Sequence, residues 1–171
     1  MKTVPVLWID LDGTVRWGKD EMGHFVNRAE DVRIFDEVPA ILAAYRAAGW
    51  RIVAISNQGG VAMGLLTQAD MEACLMRTYQ LCGGLFDKMC ACVHHPDAPD
   101  PMMGNCWCRK PRIGMLVGAG NDLSAQHDEL YPPHLGLFVG DRPEDEGCAQ
   151  NAGLNFMGAA EWRGGGWEQW L

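Results

Sequence analysis

The feature that most constrains this chain is an alternation of short apolar runs with segments of helical period, each run ending in polar residues. An apolar run of that length with no polar face suits a strand buried on both sides, and helices must then cover both faces of its sheet. TVPVLWID (3–10), RIVAISN (51–57), KMCACV (88–93), LGLFVGD (135–141) and LNFMGA (154–159) read as five such strands. Between them, VPAILAAYRAAG (38–49) carries apolar residues at helical spacing and stops on a glycine. Thr67 and Asp70 form a capping box ahead of a helix running through Met71, Leu75 and Leu81. IGMLVGAGNDL (113–123) reads as a helix, and PEDEGCAQNAG (143–153) as one begun by proline and ended by glycine. The expected fold is α/β: a Rossmann-like, three-layer parallel sheet with helices on both faces and right-handed crossovers.

A length of 171 residues is enough for one domain with a buried core, expected to span 1–171, with a loop at about 90–110. NDLSAQHDELYPPH (121–134) reads as a long loop, either shaping substrate access or, the favoured reading, decorative. The tail EWRGGGWEQWL (161–171) reads as a flexible turn with Trp167 and Trp170 packed back onto the body. The formal net charge of -8 argues against a broad basic face for nucleic acid, yet it suits a small anionic substrate held by a few local cations. Asp10 and Asp12 interrupt the N-terminal apolar run before it could act as a secretory leader, and no stretch reaches the length of a membrane span. A monomeric cytoplasmic protein with no membrane contact is expected, its seven cysteines reduced.

In parallel sheets of this kind ligands sit beyond the carboxyl ends of the strands. Those ends carry DLDGT (10–14), SNQ (56–58), a cysteine-rich loop running into Arg109-Lys110, and Gly140-Asp141-Arg142. Every polar cluster of interest therefore falls at one edge of the sheet. Asp10 and Asp12 flank one residue, and two carboxylates so close need a cation to stay ionised. A magnesium ion meets that need, because it takes few protein oxygens and keeps room for waters and a phosphate. One carboxylate then acts as nucleophile and the other as general acid. Asp141 adds a carboxylate from another strand, Ser56 and Asn57 offer donors to a phosphate oxygen, and Lys110 can neutralise a phosphoryl group in transfer.

The loop CVHHPDAPDPMMGNCWCRKP (92–111) offers Cys-x-His and, about a dozen residues on, Cys-x-Cys. Cys92, His94, Cys106 and Cys108 make a closed Cys3His set suited to a structural zinc ion, with Cys90 and His95 as bystanders. Folding this proline-rich loop around zinc would fix its far end and so place Arg109 and Lys110 over the site.

In motif, order and spacing, DLDGT, SNQ, RKP and GDRPED resemble the haloacid dehalogenase superfamily of phosphohydrolases, from Trp8 to about Phe156. The resemblance implies Asp10 as a nucleophile forming an aspartyl-phosphate, and Asp12 as acid/base that also offers its backbone carbonyl to magnesium. Thr14 and Ser56 would orient nucleophile and phosphate, Lys110 would steady charge, Asp141 would bind magnesium, and Asp145 would assist from behind. SNQGGVAMGLLT and CVHHP…CWCRKP are similar to the group holding the heptose 1,7-bisphosphate and histidinol-phosphate phosphatases, which lack a large cap domain. That likeness implies a small sugar phosphate as substrate, Arg109 in contact with it and Asn57 orienting it.

Leu11 stands where that group usually has Arg, and Arg142 where it usually has Lys. Both features also resemble the phosphatase domain of polynucleotide kinase/phosphatase, which implies a 3′-phosphatase acting on nucleic acid ends as the alternative. A non-catalytic, zinc-stabilised binding module is a third reading, weakened because no carboxylate or lysine that the chemistry requires is missing.

Overall fold

The computed structural model describes residues 1–19 and 25–171. Its main sheet has five parallel strands: β2 (Val6–Ile9), β3 (Arg51–Asn57), β4 (Lys88–Cys92), β6 (Leu137–Gly140) and β7 (Asn155–Gly158), in the order β4-β3-β2-β6-β7. The first long strand therefore lies in the centre, with later strands added outward on either side. The register sets Ile9 beside Ala54 on one neighbour and Val139 on the other, so the ends of β2, β3 and β6 lie side by side.

Period-two alternation divides the sheet residues between two cores. Leu7, Ile9, Ile52, Ala54, Leu137 and Val139 pack with Val38, Ile41, Leu42 and Tyr45 of α1 (Val38–Ala47) and with Trp162 of α5 (Ala159–Arg163). Val6, Trp8, Val53, Ile55 and Phe138 face the other way, onto Met115, Leu116, Ala119 and Leu123 of α3 (Gly114–His127) and Cys148 and Ala149 of α4 (Pro143–Ala152). The result is the expected three-layer sandwich, with no cap domain among the described residues. The helix α2 (Gln68–Leu81) opens on the expected capping box: the Thr67 side chain accepts from the Asp70 N–H at 3.1 Å, and Asp70 accepts from the Thr67 N–H at 3.1 Å. No helix is long and apolar enough to cross a membrane among the described residues.

Three departures from the sequence reading have clear causes. The first expected strand is broken in two at Pro5, which has no N–H for a ladder. Its front piece, β1 (Lys2–Thr3), instead pairs in parallel with β5 (Glu129–Leu130). The segment 121–134 is therefore not a decorative loop. Its first half extends α3 to His127, Asp128 reverses the chain in a left-handed conformation (φ 53°), and β5 follows. This pairing lies at the amino end of β2, opposite the polar strand ends, so the segment has no part in access to them. The tail is also more than a flexible turn. Residues 159–163 form α5, and a 3-10 turn over Gly166–Trp170 lays Trp167 and Trp170 against the first core as expected.

Trp162 is fully buried, with its indole N–H directed at the Tyr45 hydroxyl at 3.4 Å. Trp162→Ala is expected to cost about 3–5 kcal/mol of stability, the range for emptying a buried aromatic site. Urea unfolding followed by circular dichroism measures it; a loss under about 1 kcal/mol would show that the tail is peripheral to the core.

Candidate active site

The turn after β2 is built from its own backbone. The N–H groups of Thr14, Val15 and Arg16 all converge on the Leu11 carbonyl, at 3.1, 2.9 and 3.0 Å. Leu11 is fully buried in the first core, which leaves Asp10 and Asp12 as the polar groups of the turn. Gly13 takes φ 87°, and a Cβ there would overlap the Asp141 carboxylate, so only glycine lets the two strand ends approach. From α5, Arg163 donates Nη1 to the carbonyls of Gly13 (3.0 Å) and Thr14 (2.9 Å). Its guanidinium lies 3.9 Å from the Phe35 ring, and its Nε 3.4 Å from Glu37. The tail thereby clamps the turn from below.

Lys110 is 3% exposed, and its ammonium group meets three acceptors: Asp10 Oδ1 at 2.6 Å, Asp145 Oδ1 at 2.6 Å and the Ile55 carbonyl at 2.8 Å. All three of its donors are thus engaged. Asn57 fixes the lysine's backbone from both sides, accepting from its N–H at 3.0 Å and donating to its carbonyl at 3.2 Å. The other oxygen of Asp145 accepts from the N–H groups of Asp141 (3.1 Å) and Arg142 (3.0 Å), which ties the start of α4 to the cluster. Gly140 has to be small here, because a Cβ would run into the Asp145 side chain.

Asp10, Asp141 and Asp145 bring carboxylate oxygens within 4.8 Å of one another. Three carboxylates against one lysine leave two negative charges, the charge of one divalent cation. Burial pushes Asp10 up to about 7, with the Lys110 ammonium opposing and Asp145 adding to the rise. Asp141 is likewise raised, first by burial and then by Asp145. Burial works to lower Lys110, but the charges of Asp10 and Asp145 outweigh it and raise it. Both Asp145 oxygens are engaged by donors from other residues, whereas the Asp141 carboxylate is met only by its own backbone N–H among the described residues. Asp10 and Asp141 therefore offer the two least-engaged carboxylates of the cluster, a donor set that fits magnesium better than a fully protein-bound calcium cage.

Asp12 does not join this cluster. Its carboxylate is held by Arg16 and by Gln58, whose Nε2 donates to Asp12 Oδ2 at 2.7 Å and to the Ser56 hydroxyl at 2.8 Å. A cavity of about 600 Å³ opens above both carboxylates; its walls include Asn57, His95, Arg109 and Arg142. Thr14 and Ser56 are buried behind the wall, Thr14 with its hydroxyl 3.4 Å from Asp10 Oδ2. Sequence reasoning missed Arg16, Gln58 and Arg163. For Arg16 a local signal exists, an arginine between apolar neighbours four residues after an aspartate; for Arg163, 150 residues from the turn it holds, there is none.

Beside the cavity, the Cys92, Cys106 and Cys108 sulfurs and His94 Nδ1 gather within 4.8 Å. Their separations are 3.6 Å (Cys92–Cys106), 3.6 Å (Cys92–His94), 3.3 Å (Cys108–His94) and 2.8 Å (Cys92–Cys108), the last closer than a bound ion allows, so Cys92 and Cys108 would move apart to take one. A tetrahedral zinc with Zn–S of about 2.3 Å has ligand–ligand edges of roughly 3.7 Å, which the other three separations approach. Burial pushes the Cys92 thiol up, and a thiolate there needs a cation to persist. His95 turns away to accept from the Asp97 N–H at 3.1 Å, and Cys90 packs against the second core. The Arg109 N–H points to Cys106 Sγ at 3.4 Å, and its guanidinium donates to the His94 carbonyl at 3.0 Å, so the group and the cavity wall are one unit.

Comparison with known proteins agrees with this geometry. The model of the family described as polynucleotide kinase 3 phosphatase matches residues 5–158. The D-glycero-D-manno-heptose-1,7-bisphosphate 7-phosphatase of Chlorobaculum tepidum is 33% identical over 92% of this chain and 79% of its own length. A histidine biosynthesis bifunctional protein of Legionella pneumophila is 27% identical over 89% of this chain, which spans only 40% of that protein. In structure, the D,D-heptose 1,7-bisphosphate phosphatase of B. bronchiseptica, complexed with magnesium and phosphate, superposes with a TM-score of 0.71 at 26% identity, covering 90% of this chain and 79% of that one. With the expected motifs gathered at one sheet edge and a family match over nearly its whole length, this chain belongs to the haloacid dehalogenase superfamily of phosphatases, in the heptose-bisphosphate and histidinol-phosphate phosphatase group.

Proposed function

We propose that the chain acts as one domain that hydrolyses the phosphomonoester of a small sugar phosphate, heptose 1,7-bisphosphate being the best-supported candidate, through an aspartyl-phosphate on Asp10. The observation that carries this reading is the Lys110 ammonium wedged at 2.6 Å from both Asp10 and Asp145 beneath the cavity. The lysine holds one Asp10 oxygen and leaves the other facing the substrate. That oxygen forms a bond to phosphorus as the bond to the leaving oxygen breaks, and Asp12 gives the departing alkoxide its proton. Asp12 then takes a proton from water, which attacks phosphorus, releasing phosphate and restoring Asp10. Ser56 and Thr14 support the phosphoryl oxygens and the nucleophile from behind.

Asp10, Asp141 and the backbone carbonyl of Asp12 would hold magnesium, which when bound neutralises the phosphoryl charge. Zinc held by Cys92, His94, Cys106 and Cys108 would support Arg109 and Lys110 from the side. Arg109 and Arg142 on the wall suit the remote polar or anionic end of the substrate, as a sugar bisphosphate presents. A 3′-phosphatase of nucleic acid ends is the second reading, favoured by the description of the matching family.

Phosphate release with magnesium from heptose 1,7-bisphosphate, histidinol phosphate and a 3′-phosphorylated oligonucleotide separates the readings. The heptose substrate is expected to lead by about a hundredfold in kcat/KM, equivalent to roughly 3 kcal/mol, and Asp10→Asn to abolish turnover. A lead for the oligonucleotide transfers the assignment to nucleic acid ends. Absence of all activity supports a binding module.

Metal analysis is expected to find one zinc per chain, lost in Cys108→Ser together with several degrees of Tm. A folded wild type without zinc removes that role.

In chelator the site also makes a pH prediction. The Asp10 value in the fold lies above its ordinary 3.8, so its stabilisation is complete below that value and is lost as pH rises through about 7. The raised Asp141 works in the same direction. Metal-free protein should lose Tm between pH 4 and 8, Asp10→Asn should flatten that loss, and added magnesium should restore Tm at the alkaline end.

A further inference from the structure

Arg16 is 1% exposed, and its fork closes on the proposed acid/base: Nε lies 2.8 Å from Asp12 Oδ1 and Nη2 lies 3.2 Å from Asp12 Oδ2. The remaining nitrogen, Nη1, donates to the Thr78 hydroxyl at 2.9 Å and to the Cys74 carbonyl at 3.3 Å, both on α2. Thr78 is itself fully buried and donates to the Cys74 carbonyl at 2.8 Å. A buried guanidinium requires an anion, and among the described residues its partner is Asp12, so the fork favours the Asp12 carboxylate left once its proton has gone to the departing oxygen. Gln58 completes the hold from the far side, donating to Asp12 Oδ2 at 2.7 Å.

We propose that Arg16 is a positioning residue: braced by Thr78 on α2, it fixes the Asp12 carboxylate at the leaving-group side of the cavity and keeps it apart from the Asp10–Lys110 cluster. The proposal rests on the reading of Asp12 as acid/base. Its physical basis is that two carboxylates two residues apart can play different parts only if their surroundings keep them separate. Asp10, Asp141 and Asp145 form one compact group, and the Asp12 carboxylate stands outside it. Without a restraint, a short acidic side chain beside that group is free to turn onto its lysine, away from the departing oxygen. The planar two-point fork supplies the restraint, and a lysine, with the same charge, cannot reproduce it. The brace comes from α2, which holds none of the residues proposed to touch substrate.

The test compares Arg16→Met, Arg16→Lys and Thr78→Val on two substrates, a sugar phosphate and p-nitrophenyl phosphate. The alkoxide leaving group of the sugar needs a proton from Asp12, whereas nitrophenolate leaves without one. For Arg16→Met, kcat/KM is expected to fall about a hundredfold on the sugar phosphate and less than about fivefold on the aryl phosphate, the difference matching one lost general-acid contribution. Because the second step also uses Asp12, the aryl substrate should show a burst of nitrophenolate close to the enzyme concentration. Arg16→Lys should fall between wild type and Arg16→Met. Thr78→Val, which removes only the brace, should show the same substrate bias at a smaller size. Equal losses on both substrates, or no loss on either, overturn the proposal. If Arg16→Met does not fold, the ratio measured in the other two variants decides by the same criterion. Failure of the underlying reading is distinct, because there the wild type is inactive on both substrates or Asp10→Asn retains turnover.

Discussion

The buried ammonium of Lys110, held between Asp10 and Asp145, is the interaction on which the rest of the site depends. A lysine taken out of water at this depth persists as a cation only because two carboxylates compensate for its lost hydration, and each carboxylate is buried at the same cost. The three groups come from separate parts of the chain: the turn after β2, the end of the cysteine-rich loop, and the start of α4. Each therefore constrains the others, and none can leave without exposing an unpaired charge. The residual negative charge, with Asp141 included, suits the cluster to a divalent cation.

The surrounding architecture holds that lysine and the turn opposite it. Asn57 grips the Lys110 backbone at both its donor and its acceptor. The Cys3His group joins the two ends of the same loop, with Cys108 two residues before Lys110, and passes its geometry to Arg109 through one hydrogen bond to a sulfur and one to a carbonyl. On the opposite side, α5 delivers Arg163 to two carbonyls of the Gly13–Thr14 turn. The family match ends at residue 158, so this clamp lies in a segment beyond it. Anchoring by Trp162 in the first core makes the clamp rigid: a fully buried indole fixes the position of the next residue.

Two electrostatic environments lie within one turn. Asp10 faces Lys110 and the other carboxylates, while Asp12 faces Arg16 and Gln58. The chain separates them with Leu11, whose side chain is sunk in the core.

The sequence by itself determined the strand and helix alternation, the sheet edge that bears the site, and the identity of the clustered groups. It could do so because these features rest on local period, on chain turns at glycine and proline, and on short motifs whose chemistry is written in adjacent residues. Asp10 to Thr14, the Thr67 capping box and the paired cysteines are all of this kind. Tertiary structure alone decided the contacts between residues distant in the chain. No local pattern announces that Arg163 will reach Gly13, that Thr78 will brace Arg16, or that 129–130 will pair with 2–3. It also supplied the partners that hold neighbouring residues apart: Lys110 on Asp10 and Arg16 with Gln58 on Asp12. Those distinctions arise from burial and from which partner happens to lie within hydrogen-bonding reach, and neither quantity exists until the layers are packed.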